Sequence, residues 1–167
     1  MTASATISAN LERLNYHSVA GCIATGQHRQ VISEGVATRQ LLPAESGALC
    51  IFDRAAGVVY TLPTPSIGMQ FEFSVSVSVT SNAHKIITKT IASEFLVGGV
   101  EASTLTSGGQ DYFVADGTSI TALSAAGVTT GGLIGENYTV TAISTTQWMI
   151  KGVTCGSGTL ATPFATS

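Results

Sequence analysis

The sequence predicts an all-β fold, a β-sandwich or jelly-roll-like barrel of about eight to ten short antiparallel strands with an extended N-terminal arm. Three observations predict it. From Gln70 to Val79 apolar and polar residues alternate without interruption. Short apolar runs recur along the chain between clusters of Gly, Pro, Asn, Asp and Ser. No segment sustains the 3.6-residue apolar spacing of an amphipathic helix.

Residues 1–40 read as an arm or irregular segment with one or two short strands. Leu11 and Leu14 fit one helical turn capped by Asn10, but the pattern stops there. Residues 41–167 read as the β-domain with a short C-terminal tail. Its first expected strand is Ala48–Asp53. The turn Asp53-Arg54-Ala55-Ala56-Gly57 leads to a return strand, Val58–Leu62, so the pair reads as a hairpin. Pro63 and Pro65 cannot donate to a ladder and end it.

In Gln70–Val79 the alternation assigns Phe71, Phe73, Val75, Val77 and Val79 to the core and Ser74, Ser76 and Ser78 to the outer face. His84–Ile91 follows as a strand, with Ile86, Ile87 and Ile91 as β-branched bulk. Glu94–Val97 reads as a short strand broken by Gly98-Gly99, and Glu101–Thr106 as an edge strand. Gln110–Ala115 and Thr118–Leu123 flank Asp116-Gly117, a two-residue turn signal. Ala125–Gly135 is a Gly/Thr-rich loop. Asn137–Ile143 and Gln147–Val153 form a last hairpin, and residues 154–167 a low-charge tail.

Only 10% of the 167 residues are charged, against about 25% in an average soluble domain. A surface of hydroxyls, backbone and small apolar groups suits a protein covered by other subunits. The net charge is −3, and Arg13, Arg29, Arg39, Arg54, Lys85, Lys89 and Lys151 are scattered. Nucleic acid is therefore not an expected partner, because tracking phosphates needs clustered cations. Mean hydropathy is positive, yet no stretch reaches the roughly 20 apolar residues of a spanning helix, so no membrane partner is expected either. The N-terminus lacks the charged and apolar regions of a signal peptide. Cys22, Cys50 and Cys155 are odd in number and widely spaced, which argues for reduced thiols and against a disulfide framework or zinc ribbon.

Around the Cys50 strand and beyond it a resemblance emerges. Ser46 to Pro63 runs Ser-Gly-x-x-Cys-Ile-Phe-Asp-Arg-Ala-Ala-Gly-Val-Val-Tyr-Thr-Leu-Pro. Pro65-Ser66-Ile67-Gly68-Met69-Gln70-Phe71-Glu72-Phe73 follows, then Ala83-His84-Lys85-Ile86-Ile87-Thr88, then Trp148-Met149-Ile150-Lys151-Gly152-Val153. Over residues 45–153 this resembles virion structural proteins of tailed bacteriophages, in particular the small β-rich decoration, or cement, proteins outside the capsid shell. The resemblance implies synthesis in the host cytoplasm and a place on the outer capsid surface of the virion. It also implies the major capsid protein as partner, and self-association as a homotrimer. The alternative it leaves is a head-fibre or tail-associated module that binds host-surface glycans.

No enzyme is expected. His17, His28 and His84 have no nucleophile elbow beside them, and His84, opening a strand, is expected at a rim. Cys22 with His17 or His28 has irregular spacing and no fourth ligand, so no metal is assigned. Asp53 and Asp116 read as turn residues, and Glu72, Glu94, Glu101, Asp111 and Glu136 are isolated, which assigns no acid/base pair. Gly98-Gly99, Gly108-Gly109 and Gly131-Gly132 lack the Lys and helix of a phosphate cradle, so no cofactor is assigned. Tyr60, Tyr112, Tyr138 and Trp148 lie singly on separate strands and are expected to pack in the core.

Overall fold

The computed structural model describes residues 28–105 and 108–166. It is all-β, apart from one 3-10 turn at Pro43–Glu45. The strands are β1 (Val31–Ile32), β2 (Thr38–Gln40), β3 (Leu49–Phe52), β4 (Val59–Thr61), β5 (Gln70–Val75) and β6 (His84–Ile87). They continue as β7 (Phe95–Thr104), β8 (Gln110–Asp116), β9 (Ala122–Ala125), β10 (Asn137–Ala142), β11 (Gln147–Gly156) and β12 (Phe164–Ala165). One sheet has the order β1-β3-β5-β10-β11-β7-β8, the other β12-β9-β6-β4-β2.

Both sheets are mixed, which corrects the expectation of antiparallel strands. β3 lies parallel to β1 and β5, β4 parallel to β2 and β6, and β11 parallel to β7. The reason lies in the turns. Asp53–Gly57 does not fold β4 back beside β3. A bond from Gly57 N–H to Arg54 O closes a corner, and the chain passes into the other sheet. The apolar residues of the two strands then meet face to face: the Phe52 and Tyr60 rings lie edge to face at 5.3 Å. Gly57 holds φ +82, and a Cβ there would meet the Ala83 carbonyl oxygen at 2.5 Å, so only glycine fits this corner.

Asp116-Gly117 behaves the same way. It is not a two-residue hairpin but a corner between β8 in one sheet and β9 in the other. The Asp116 carboxylate accepts N–H bonds from Thr118, Ser119 and Ile120 and the Ser119 hydroxyl. These bonds hold its carboxyl well below the usual carboxylate range. The expected hairpin of β10 and β11 is present, with Ala142 opposite Trp148 and Val140 opposite Ile150.

The alternating run is a strand only through Val75. Phe71, Phe73 and Val75 are buried as expected, and so is Val79, but Val77 is exposed. Ser76 and Val77 both donate their N–H to Phe52 O. Two residues opposing one carbonyl make a bulge, which turns Val77 outward before Val79 returns to the core. The strand expected over His84–Ile91 ends at Ile87, and Ile91 is exposed. Gly98-Gly99 does not break a strand. β7 runs through both, and the stretch expected as a separate edge strand is its continuation, flanked by β11 and β8. A Cβ on Gly98 would run into Ile150 O, and one on Gly99 would meet the Tyr112 ring at 2.6 Å. These glycines permit close approach.

The segment 28–40, expected as arm, supplies β1 and β2, one to each sheet. The tail supplies β12, which pairs with β9 and buries Phe164. One buried cluster draws on both sheets. Phe52, Phe71, Phe73, Val140, Trp148 and Ile150 come from the larger sheet, and Tyr60, Ile86 and Leu123 from the smaller.

Candidate interaction surface

Strand pairing fixes which side chains share the larger sheet's outer face, since residues opposite one another point the same way. One row runs Val114, Gly99, Lys151, Thr139, Glu72, Leu49. The next runs Tyr112, Glu101, Val153, Asn137, Ser74, Ile51. A third runs Asp116, Val97, Met149, Thr141, Gln70. No described strand covers this face. Tyr112 is 66% exposed and Val114 63%, and Met149 and Val153 are also exposed. Apolar side chains are thus interleaved with Thr and a few charges, and are densest at the β8 end.

Tyr112 is the aromatic that departs from the expected core packing. Tyr60, Tyr138 and Trp148 are buried, whereas the Tyr112 ring lies over Gly99 on the outer face. The signal was present in Tyr112-Phe113-Val114-Ala115: four apolar residues in a row occupy both faces of a strand, so one face either meets a partner or stays bare. Leu105 and Val114, both exposed, were singled out by no motif.

The titratable groups in the interior build the fold. Glu136 is buried with no ion pair among the described residues, and four donors surround its carboxylate. Gly132 N–H reaches both oxygens at 2.9 and 2.8 Å, Leu133 N–H lies at 3.1 Å, Tyr138 O–H at 2.7 Å and Cys155 N–H at 2.8 Å. The carboxylate ties the 126–136 loop to β10 and β11. A Cβ on Gly131 would run into Thr154 Oγ1, so the loop can pass the carboxylate only as glycine.

His84 is not at a rim but in the core. Its Nδ1 accepts from Val58 N–H at 3.3 Å, its Nε2 lies 2.9 Å from Val77 O, and its ring packs 4.7 Å from Phe52. That pattern selects the neutral Nε2–H tautomer. Burial lowers its pKa, partly opposed by the bond to Val77 and by Glu136 and Asp53. Tyr60 O–H donates to Ile51 O at 2.8 Å, and burial raises its pKa. Burial, with Glu45 second, pushes the Cys50 thiol up to about 12.

The remaining carboxylates are dispersed. Asp53 accepts from Ser33 Oγ and Gly35 N–H. Glu72 pairs with Arg29 at 2.6 Å. Glu94 accepts the N–H groups of Lys89 and Thr90, and Glu101 and Asp111 are exposed. Arg39 lies between Glu34 and Glu45, a cluster that sequence reasoning missed because no regular element was expected there to bring residues five and six positions apart together. Among the described residues no three His, Cys, Asp or Glu side chains converge as metal ligands, and no helix is long and apolar enough to cross a membrane. His28 is exposed; His17 and Cys22 lie outside the described residues. A cleft of about 300 Å³ is lined by Ile91, Ala92, Phe95, Thr118, Ser119, Thr121 and Thr166, hydroxyls over an apolar floor with no charged group.

Compared with protein-family models, curated proteins and solved structures, the chain matches none of them.

Proposed function

We propose that the chain is a non-catalytic structural protein of a virus particle, a capsid decoration protein that binds the major capsid protein on the outer surface of the shell. In this reading the two sheets pack face to face as a β-sandwich, and the outer face of the larger sheet, which no described strand covers, is the docking surface. The observation that carries it is the exposed Tyr112, Val114, Met149 and Val153, interleaved on that face with few charges. Such a face is what an interface core needs. The resemblance of residues 45–153 to decoration proteins supplies the partner.

Multivalency supplies the physical logic. Once one copy of an assembly is seated, later contacts become intramolecular, so individually weak contacts give slow release. Binding to the assembled shell and not to its dissociated subunits then stabilises the shell by mass action. The test adds purified protein to particles of the same virus lacking it and follows genome release on heating. The expected result is a saturable upward shift, lost when Val114 and Val153 are changed to Asp. Unchanged release temperature at saturating protein refutes the cement role.

One observation favours a second reading, a fibre or tail module that binds host-surface glycans. The exposed Tyr112 ring offers a face for stacking on a sugar. A glycan array probed with the whole chain and with Tyr112→Ala tests it, and binding that survives the substitution removes the argument.

A further inference from the structure

We propose that β8 is a self-pairing edge: two copies of this chain join β8 to β8 antiparallel across a two-fold axis at Phe113, extending the larger sheet through the dimer. The inference does not depend on binding to a capsid.

The four sheet edges differ. β1 and β12 have two residues each and β2 has three, with Arg39 at its centre. Short edges and charged side chains are the usual protection against unwanted pairing. β8 has seven residues, no Pro, no Lys and no bulge, since its register with β7 is continuous from Asp116 opposite Val97 to Gln110 opposite Ser103; its two charges, Asp111 and Asp116, stand toward its ends and leave Tyr112 to Ala115 uncharged. The Tyr112 ring, on the strand's outer face, leans back over Gly99 of β7 and not over the far edge.

The ladder shows which backbone groups are open. Thr104 N–H donates to Gly109 O and Gly117 N–H to Leu96 O. Hydrogen-bonded pairs alternate along an antiparallel ladder, so between those ends they fall at Gly98 with Ala115, Val100 with Phe113 and Ala102 with Asp111. The N–H and C=O groups of Gln110, Tyr112, Val114 and Asp116 therefore point away from β7. They form one row on the open edge.

A second β8 satisfies that row in one register. With Phe113 opposite Phe113 of the second copy, Tyr112 faces Val114, Gln110 faces Asp116 and Asp111 faces Ala115. All seven residues pair, giving about eight N–H···O bonds. No like charges stand directly opposite, and an aromatic residue stands opposite a β-branched one, a favourable cross-strand combination. A shift that puts Tyr112 opposite Tyr112 loses the Asp116 pairing. The contact is isologous and closes at two copies, unlike the threefold grouping that the resemblance implies. One pair of strands buries less than the roughly 1,000 Å² of a stable interface, so the dimer is concentration-dependent.

The experiment is sedimentation velocity of the full chain from low micromolar to submillimolar concentration. The expected result is a monomer–dimer equilibrium. Val114→Pro removes an edge N–H that β7 does not use and abolishes the dimer while circular dichroism keeps its β signature. Should that variant misfold, a charge pair keeps the test. Tyr112→Lys with Val114→Lys, and Tyr112→Glu with Val114→Glu, are each monomeric alone, and mixing them restores a dimer because residue 112 faces residue 114 across the axis. A wild type monomeric throughout, a dimer or trimer indifferent to these substitutions, or charge variants that do not recombine would each overturn the proposal.

Discussion

Replacing Glu136 by Ala removes the acceptor for four donors and should destabilise the fold by about 3–5 kcal/mol, the scale of breaking a buried charged network. The magnitude follows from the surroundings. The bonds from Gly132 N–H and Tyr138 O–H are fully buried, and a stranded buried donor costs about 1–3 kcal/mol. The Leu133 and Cys155 N–H groups are partly buried and regain water, so they contribute less. Removing the carboxylate also relieves its own desolvation, which keeps the total below four full bonds. Urea unfolding at pH 7 measures the loss as a lower midpoint with unchanged slope. Glu136→Gln keeps one acceptor but turns an amide N–H₂ toward a donor, and is expected between the two. In a Tyr138→Phe background the Ala substitution should cost less, by a coupling of about 1–2 kcal/mol. A loss below about 1 kcal/mol, or no coupling to Tyr138, would refute the assignment of this carboxylate as the pin of the 126–136 loop.

Three further outcomes follow from the same reasoning. His84 has a lowered pKa in the fold, so the unfolded chain binds its proton more readily. Stability is fully present above the ordinary value near 6.5 and falls as pH drops below it, by up to about 1.4 kcal/mol per pH unit. The urea midpoint should decline from pH 7.5 to 5.5 in the wild type and decline less in His84→Gln; equal slopes would exclude His84 as the source. Cys50, buried with its thiol pushed up to about 12, should resist iodoacetamide in the native state, whereas half-exposed Cys155 reacts. Peptide mass spectrometry that finds Cys50 labelled first contradicts the burial. Gly98→Ala should cost about 3 kcal/mol or more, because the new Cβ strikes the Ile150 carbonyl in a strand flanked on both sides. Gly135→Ala, at φ +97 with open space around its Cβ, should carry only the backbone strain of about 1–2 kcal/mol, and equal melting shifts would dismiss the contact argument.

Strand content was legible in the sequence because period-two patterning reports directly on which face is wet. Phe71, Phe73 and Val75 were placed correctly for that reason, as was the β10–β11 hairpin with its buried Trp148. Beyond that hairpin, strand partners were not legible. A hairpin and a corner between sheets use the same turn residues: Asp53–Gly57 and Asp116-Gly117 each supply a carboxylate acceptor and a positive-φ glycine. What separates the two outcomes is which apolar surfaces meet afterwards, and that is a long-range property. The Gly98-Gly99 reading failed for a related reason. Glycine marks both a break and a close approach, and only the neighbours Ile150 and Tyr112 decide which.

The proposed interaction surface lies at the boundary between those two kinds of information. Alternation along β5 puts Glu72 and Ser74 on the outer face, so that side of the sheet reads as ordinary solvated surface. β8 breaks the pattern, with Tyr112, Phe113, Val114 and Ala115 apolar on both faces. A strand buried on both sides would explain this, but among the described strands β8 stands at the sheet's edge and pairs with β7 alone. The inner pair, Phe113 and Ala115, packs toward the core. The outer pair, Tyr112 and Val114, is exposed and meets no core among the described residues, and exposed apolar area contributes no burial energy. No described strand pairs with the edge groups of the same two residues either. One strand thus carries an apolar pair and an unpaired backbone row on adjoining surfaces. A second β8 satisfies the backbone row directly and brings its own Tyr112 and Val114 opposite the pair. A partner on the sheet face alone would cover the side chains and leave the edge unpaired.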